Sequence, residues 1–331
     1  MPHPEKIIQK LGTGRNRFLR DVSWQLYLNR SRIYKREGSR MLVYHGVCKN
    51  NPFRFNTLFV TLKNFERQLQ VYKKYFQVVS LDDFYQKNYN DKKFTLCLTF
   101  DDGFANNYKY VLPLLEKYQM PASFFITAIR KSGYDILWND VLSIAGAYGP
   151  DKVKIKEIDF LKDKLKKYLS IESGKSLNEI LRSASFEDKV EMMKQFDIYK
   201  NKVEEDYWLQ MTEGQIKKMS ESKWVTLGSH SYCHNDLAYV AGGLVRDDLL
   251  QSKNYLEGLI QKKVRSIAFP YGSYSKQTVS EAKAAGYTQL LATDFLFDDD
   301  FEDKAMKERL TINPFISPIN QMHANICGHY R

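Results

Sequence analysis

The sequence predicts an α/β fold in which a parallel sheet closes, or nearly closes, into a barrel. Three observations point there. Strand-like apolar segments alternate with amphipathic helical ones along most of the 331 residues, the rhythm of parallel strands joined by crossover helices. Seven segments read as strands, a number that suits a barrel better than an open sheet, although periodicity alone leaves both open. Residue types able to do chemistry fall just past the ends of several strands, at the edge where parallel barrels gather their sites.

The strand segments are residues 41–47, 77–81, 94–100, 122–127, 224–229, 264–269 and 289–293. Between them the apolar positions switch to helical spacing. Phe65, Leu69, Tyr72 and Phe76 form one stripe; Tyr108, Leu112, Leu115 and Tyr118 form another, stopped by Pro121. Thr212 with Gln215 makes a capping box ahead of Ile216 and Met219, and a helix over 275–285 ends at Gly286, suited to a left-handed C-cap. Residues 139–211 break the alternation. They carry helical stripes, Ile158, Leu161, Leu165 and Leu169, then Val190, Met193 and Phe196. The stretch is expected to be a helical insertion over one mouth of the barrel, either decorating it or shaping access to it. The expected organisation is a basic N-terminal segment at 1–40, a barrel at 41–314 holding the insertion, and a C-terminal tail at 315–331.

With 43% hydrophobic and 14% aromatic residues the chain can bury a large core. No 18-residue apolar stretch is present and the N-terminus is charged rather than apolar, so the expected location is the cytoplasm. The four cysteines, Cys48, Cys97, Cys233 and Cys327, show no CxxC spacing and require no disulfide. Of the net charge of +11, most sits in the first forty residues, where ten Lys/Arg face three acids. Leu19, Val22, Leu26 and Ile33 fall near helical spacing there, the pattern of a basic amphipathic helix. Such a helix either packs on the barrel with its charges solvated or attaches to an anionic surface, the inner membrane face or a phosphate-bearing substrate. No nucleic-acid motif accompanies it, which argues against that partner.

Three stretches carry the chemistry. Asp101-Asp102-Gly103 ends an apolar strand. Within a strand neighbouring side chains diverge, but at its end the chain turns, and Gly103 gives it the freedom to do so. One carboxylate can then bind a cation while its neighbour takes a proton; the plainer alternative is an ordinary Asp-Gly turn. His230-Ser231-Tyr232-Cys233-His234 places two imidazoles four apart. Imidazoles are common metal ligands, and two on one bent loop can converge on an ion. Cys233 invites a rival reading as a structural His/Cys site, which lacks a second ligand pair. Asp102 is the natural third ligand, and a His-His-Asp set leaves positions open for water and substrate, as a catalytic ion requires. Third is Phe269-Pro270-Tyr271-Gly272: Pro270 and Tyr271 offer a rigid wall for a sugar ring and the backbone N–H groups from Tyr271 onward suit a developing oxyanion, or the segment is simply a strand followed by a turn.

TFDDG, HSYCH and FPYG, in that order from about residue 41 to 314, resemble the NodB-homology polysaccharide deacetylases, carbohydrate esterase family 4. The Tyr44-His45-Gly46 entry strand and the Val-Val-Ser-Leu-Asp segment near residue 80 are similar to the circularly permuted poly-N-acetylglucosamine deacetylase branch. The resemblance implies a deformed (β/α)7 barrel, a divalent ion, usually zinc, and hydrolysis of N-acetyl groups on an amino-sugar glycan, polymeric or lipid-linked. It implies Asp101 as general base, Asp102, His230 and His234 as ligands, and His45 as general acid; His45 otherwise reads as a core histidine. His323 and His329 are the acid candidates for an unpermuted chain. The arginine that often precedes the third motif is replaced by Ala268-Phe269, which leaves Arg309 as the candidate to orient Asp101, and an Asp-x-x-Asp-Trp block is missing. The competing readings are the same fold turned to an O-acetyl ester or cyclic amide, and a glycan-binding scaffold without catalysis.

Overall fold

Apolar strand segments with no polar face require burial on both sides, and a closed barrel provides it. The computed structural model describes residues 4–26, 28, 37–50, 55–90, 92–240 and 242–330. Its main sheet has eight parallel strands: β1 (Ser39–Tyr44), β2 (Gln77–Val79), β3 (Thr95–Phe100), β4 (Ala122–Ile126), β5 (Val225–Ser229), β6 (Ser266–Ala268), β7 (Gln289–Ala292) and β8 (Met306–Thr311). Seven close a ring in the order β1, β3, β4, β5, β6, β7, β8, with β8 returning to β1 through Met41↔Arg309, Leu42↔Leu310 and Val43↔Thr311. The seam between β5 and β6 is a single pair, Ser229↔Ile267, so the ring is deformed there.

The count of seven stands, but its membership differs from the expectation. Gln77–Val79 lies outside the ring, bonded to the first half of β3 on the edge that β4 takes over at Leu98. The closing strand is β8, Met-Lys-Glu-Arg-Leu-Thr. It has no apolar run because its buried side chains include Arg309.

Alternation along the strands builds two layers. Met41, Cys97, Phe125, Ala268 and Leu291 meet inside the barrel. Leu42, Leu98, Phe124, Ile267 and Leu290 face the outer helices. The helices around the barrel include α1 (Pro4–Gln25), α2 (Leu62–Tyr75), α3 (Leu81–Gln86) and α4 (Leu112–Tyr118). In α2 the stripe Phe65, Leu69 and Tyr72 is fully buried, and Thr61 accepts the Asn64 N–H as N-cap. Leu81 and Phe84 of α3 pack with the barrel interior.

Residues 139–211 are mixed rather than helical. After α5 (Trp138–Tyr148) comes an antiparallel sheet of three strands, Lys152–Ile155, Ile158–Lys162 and Tyr168–Ser170, then α6 (Leu177–Arg182) and α7 (Phe186–Phe196). Ile158, Leu161, Leu165 and Leu169 therefore do not form a helical stripe. Burial there has period two, with Phe160 and Tyr168 inward, Leu161 outward, and Leu165 exposed on the connecting turn. The insertion has its own core, centred on Trp138, Phe160, Tyr168, Met193 and Phe196.

The remaining helices are α8 (Glu213–Glu221), α9 (Gly242–Ile260), α10 (Lys276–Ala284) and α11 (Pro318–Cys327). The Thr212–Gln215 capping box is present, and Gly286 follows α10 with φ of 85°. Residues 315–331 are not a bare tail: α11 packs against α1 and α2, with Asn325 donating to the Tyr72 hydroxyl at 3.2 Å. The stripe expected in 1–40 is corrected too. Leu19 and Leu26 are exposed, and α1 is fastened by Trp24 edge-on to Tyr75 and by Arg17, Arg20 and Asp21 bonding to the α11 segment. Ile33 lies outside the described residues.

Candidate active site

Inward-facing side chains of the ring strands become polar towards their C-terminal ends, and there the site forms. Asp101 follows β3 and its N–H donates to the Tyr44 carbonyl of β1. Its carboxylate receives two parallel hydrogen bonds from Arg309, Nη1 to Oδ1 at 2.7 Å and Nη2 to Oδ2 at 2.8 Å. Arg309 is further held by Thr99 Oγ1 and by the face of Phe125. Both partners are 4% exposed. Burial alone would raise the pKa of Asp101; the charge of Arg309, that of His230 and the hydrogen bonds outweigh it and hold the carboxyl below the usual range.

Asp102 and Gly103 turn the chain with φ of 74° and 81°, and the turn directs Asp102 the other way, towards the histidines. Its Oδ1 lies 3.3 Å from His230 Nε2 and 3.2 Å from His234 Nε2. One ligand atom from each residue falls within 4.8 Å of the others, and all three side chains are buried. Against the pull of burial, the two imidazoles hold Asp102 well below the usual carboxylate range.

His230 ends β5. Its Nδ1 lies 2.8 Å from the Ala268 carbonyl, an acceptor, so Nδ1 carries the proton and the Nε2 lone pair is directed to where a cation would be shared with Asp102. His234 sits on a strained loop, with positive φ at Ser231 (67°) and His234 (54°). The loop is pinned from beneath by Asp248 of α9. Asp248 Oδ1 accepts the Tyr232 N–H at 2.8 Å, and Oδ2 accepts Ser231 Oγ and Asn235 Nδ2 at 3.0 and 2.9 Å. The insertion grips it from above. Lys189 Nζ donates to Asn235 Oδ1 at 3.0 Å, Trp138 Nε1 to the His234 carbonyl, and Arg182 to the fully buried Asp236. Burial pulls Lys189 down to about 8.

Tyr271, with φ of 61°, stands beside the ligands, its ring 4.8 Å from His234 and 4.6 Å from the Arg182 guanidinium. Pro270 is buried at the start of that turn, and the Gly272 and Ser273 N–H groups close it. His45 follows β1 directly, close enough for its charge to act on both Asp101 and Asp102; its buried Nδ1 has no hydrogen-bond partner among the described residues. The structure thus brings together Asp101, Asp102, His230, His234, Tyr271, Arg309 and His45. His323 and His329 are elsewhere, the first on α11 in the outer layer beside Cys327 and the second just beyond that helix. Cys233 takes no part in the ligand set: its Sγ lies 3.2 Å from Ser132 Oγ, and burial pushes the thiol up to about 12.

Sequence reasoning missed Asp140 and Asp248. Asp140, on α5, is buried with an Oδ2 that has no hydrogen-bond partner among the described residues, and burial together with the Asp102 charge drives its carboxyl well above the usual range. Asp248 was visible in principle, as an acid on the buried stripe Val245, Leu249, Ser252 and Leu256 of α9.

The donor set suits a divalent ion. It offers one carboxylate oxygen and two imidazole nitrogens at one point, one imidazole fixed in the ligating tautomer, beside a separately paired carboxylate. A seven-stranded parallel barrel with this group at its C-terminal mouth defines a class, barrels with a candidate cation site at the edge where such folds gather their chemistry.

The chain belongs to the polysaccharide deacetylase family, whose model matches residues 88–154 and 191–290. The unmatched interval falls inside the insertion. YxkH of Bacillus subtilis (strain 168), whose own polysaccharide deacetylase assignment is provisional, is 20% identical over 258 residues; the match takes in 77% of this chain but only 64% of the length of YxkH. Among solved structures, the Streptococcus pyogenes deacetylase PplD in complex with acetate superposes with a TM-score of 0.57 at 19% identity, over 86% of this chain and 97% of that one. BC0361, a polysaccharide deacetylase from Bacillus cereus, gives 0.54 at 18% identity over 87% and 68%. IcaB from Ammonifex degensii gives 0.50 at 18% over 86% and 91%. At these identities the likeness speaks to the fold.

Proposed function

We propose that this polysaccharide deacetylase removes N-acetyl groups from an amino-sugar glycan with a divalent ion, zinc in our reading, held by Asp102, His230 and His234. The observation that carries the proposal is the division of labour between adjacent carboxylates: Asp102 is turned to two histidines, while Asp101 is clamped by Arg309. When bound, the ion supplies Lewis acidity for the acetyl carbonyl and lowers the pKa of water at the site.

The chain's own groups do the rest. Asp101, kept ionised and oriented by Arg309, accepts the proton of the attacking water. The Tyr271 N–H donates to the oxyanion as it develops, and the Tyr271 ring walls the sugar. An amine leaves badly unless protonated, and His45 delivers that proton. Its place at the end of the entry strand is what favours the circularly permuted branch. The experiment is acetate release from N-acetylglucosamine oligomers by metal-stripped and zinc-restored protein. Release confined to O-acetyl sugars points to an ester hydrolase instead, and glycan binding insensitive to chelation with no release points to a scaffold.

A membrane-proximal, lipid-linked substrate draws support from α1 and the residues just after it. Phe18, Leu19, Leu26 and Leu28 are exposed beside a run of arginines, the composition of a surface-binding segment. Flotation with anionic vesicles, with and without residues 1–38, tests this; equal partitioning argues against it.

A further inference from the structure

We propose that the insertion carries an extended groove that binds the part of the glycan next to the acetylated sugar, and that this part bears negative charge. The proposal rests on the deacetylase reading of the site. A groove of about 660 Å3 runs between α5, α6 and the turn joining the last two insertion strands, within the size range of small-molecule sites.

Its near end meets the catalytic mouth at Arg182, which lines the groove and also stacks on Tyr271, one ring away from His234. Asp236 accepts from Arg182 Nε at 2.8 Å and from Nη2, so the end of the groove is fixed to the loop that carries the histidines. Asn139 also lines the groove and directly follows Trp138, which bonds to the His234 carbonyl; the buried Asn139 Oδ1 has no hydrogen-bond partner among the described residues. The lining mixes apolar Leu142 and Leu177 with the polar side chains of Asn139, Ser176 and Asn178, a suitable setting for a sugar, which presents hydroxyls around its ring and apolar C–H faces.

The charge follows from the rim. Lys166 and Lys167 line the groove and form no ion pair among the described residues. Gly146 holds them there, since a Cβ at that position would sit 2.6 Å from the Lys166 carbonyl oxygen, so only glycine lets the turn lie against α5. The acid lining the groove, Glu179, is turned back onto Ser176 to close the capping box of α6. With Arg182 offset by Asp236, two lysines against one carboxylate leave the groove net positive, which suits a carboxylate- or phosphate-bearing saccharide.

The test uses two tetrasaccharides, one of N-acetylglucosamine alone and one alternating N-acetylglucosamine with glucuronic acid. Each is titrated calorimetrically into zinc-loaded Asp101→Asn protein, so that binding is read without turnover. We expect the acidic tetrasaccharide to bind at least fivefold more tightly at low salt. Lys166→Glu with Lys167→Glu should abolish that preference and leave the neutral tetrasaccharide within twofold. Ser143→Trp, which fills the groove from an exposed helix position, should weaken both at least fivefold. Equal affinities, or a preference that survives charge reversal, overturn the assigned charge. No binding of either, or binding untouched by Ser143→Trp, overturns the groove. Groove binding without acetate release by the unsubstituted protein sinks the deacetylase reading while supporting the groove.

Discussion

Arg309 and Asp101 meet through two parallel hydrogen bonds of 2.7 and 2.8 Å inside the barrel, 208 residues apart in sequence. Arg309 lies on β8 and Asp101 directly follows β3, strands that both pair with β1. Closing the ring is therefore what assembles the base and its partner, and a bidentate guanidinium fixes the carboxylate plane as a lysine could not.

Replacing Arg309 by Met leaves a buried carboxylate without its cation. Burial then dominates, so the Asp101 pKa rises and the acid limb of kcat/KM moves to higher pH. In the unsubstituted protein, the stability due to Asp101 is complete above its unfolded pKa and is lost as pH falls through the lower folded value. In the variant the sign reverses: the loss, about 3–5 kcal/mol at neutral pH, should shrink as the medium becomes acidic. Denaturant unfolding at several pH values, with a pH–rate profile, checks both. A variant whose acid limb stays in place would remove Arg309 from control of the base.

Separating the carboxylates separates binding from turnover. Asp101→Asn should retain the metal and lose at least about 10²–10⁴-fold in kcat, the range of general-base contributions. His234→Ala should lose the metal. Elemental analysis of both proteins after dialysis decides it, and retention by neither or by both contradicts the division of roles.

His45, directly after β1, has a ring nitrogen without a hydrogen-bond partner among the described residues and is assigned the proton that leaves with the amine. His45→Ala should abolish the basic limb of the pH–rate profile, and an activated ester substrate, whose leaving group needs no proton, should be spared. An unchanged profile would return His45 to the role of a packing residue.

These residues differ in how legible they were. Asp101, Asp102, His230 and His234 lie in short contiguous strings at the ends of apolar strands, where residue type and position both carry information. Arg309 could be named but its strand could not: Met306–Thr311 has a lysine, a glutamate and an arginine at its centre, and only ring closure makes it a strand. The insertion was misread because Ile158, Leu161, Leu165 and Leu169 mimic a helical period while the residues that pack, Phe160 and Tyr168, follow the two-residue period of a hairpin. Asp140, Arg182 and Lys189 were hidden for a related reason. They act across an interface between the insertion and the barrel, and local sequence does not encode which surfaces will meet.

Asp248 offers the sharpest test of how the metal loop is held. Its two oxygens accept from the Tyr232 N–H, the Ser231 hydroxyl and Asn235 Nδ2, and Ser231 and His234 need this support because both hold left-handed backbone angles. Asp248→Asn keeps the size but turns one acceptor into a donor, which must face at least one of those N–H or O–H groups. One buried donor is left unsatisfied, at about 1–3 kcal/mol, and the loop relaxes towards ordinary angles, moving His234 relative to Asp102. Partners behind metal ligands typically contribute about 10–100-fold to affinity, so zinc affinity, measured by competition with a chromogenic chelator, should fall by that factor. Asp236→Asn should do less, because Trp138 and Lys189 still hold the same loop. If Asp248→Asn binds zinc normally while its melting temperature falls, Asp248 supports the fold of α9 and not the geometry of the site.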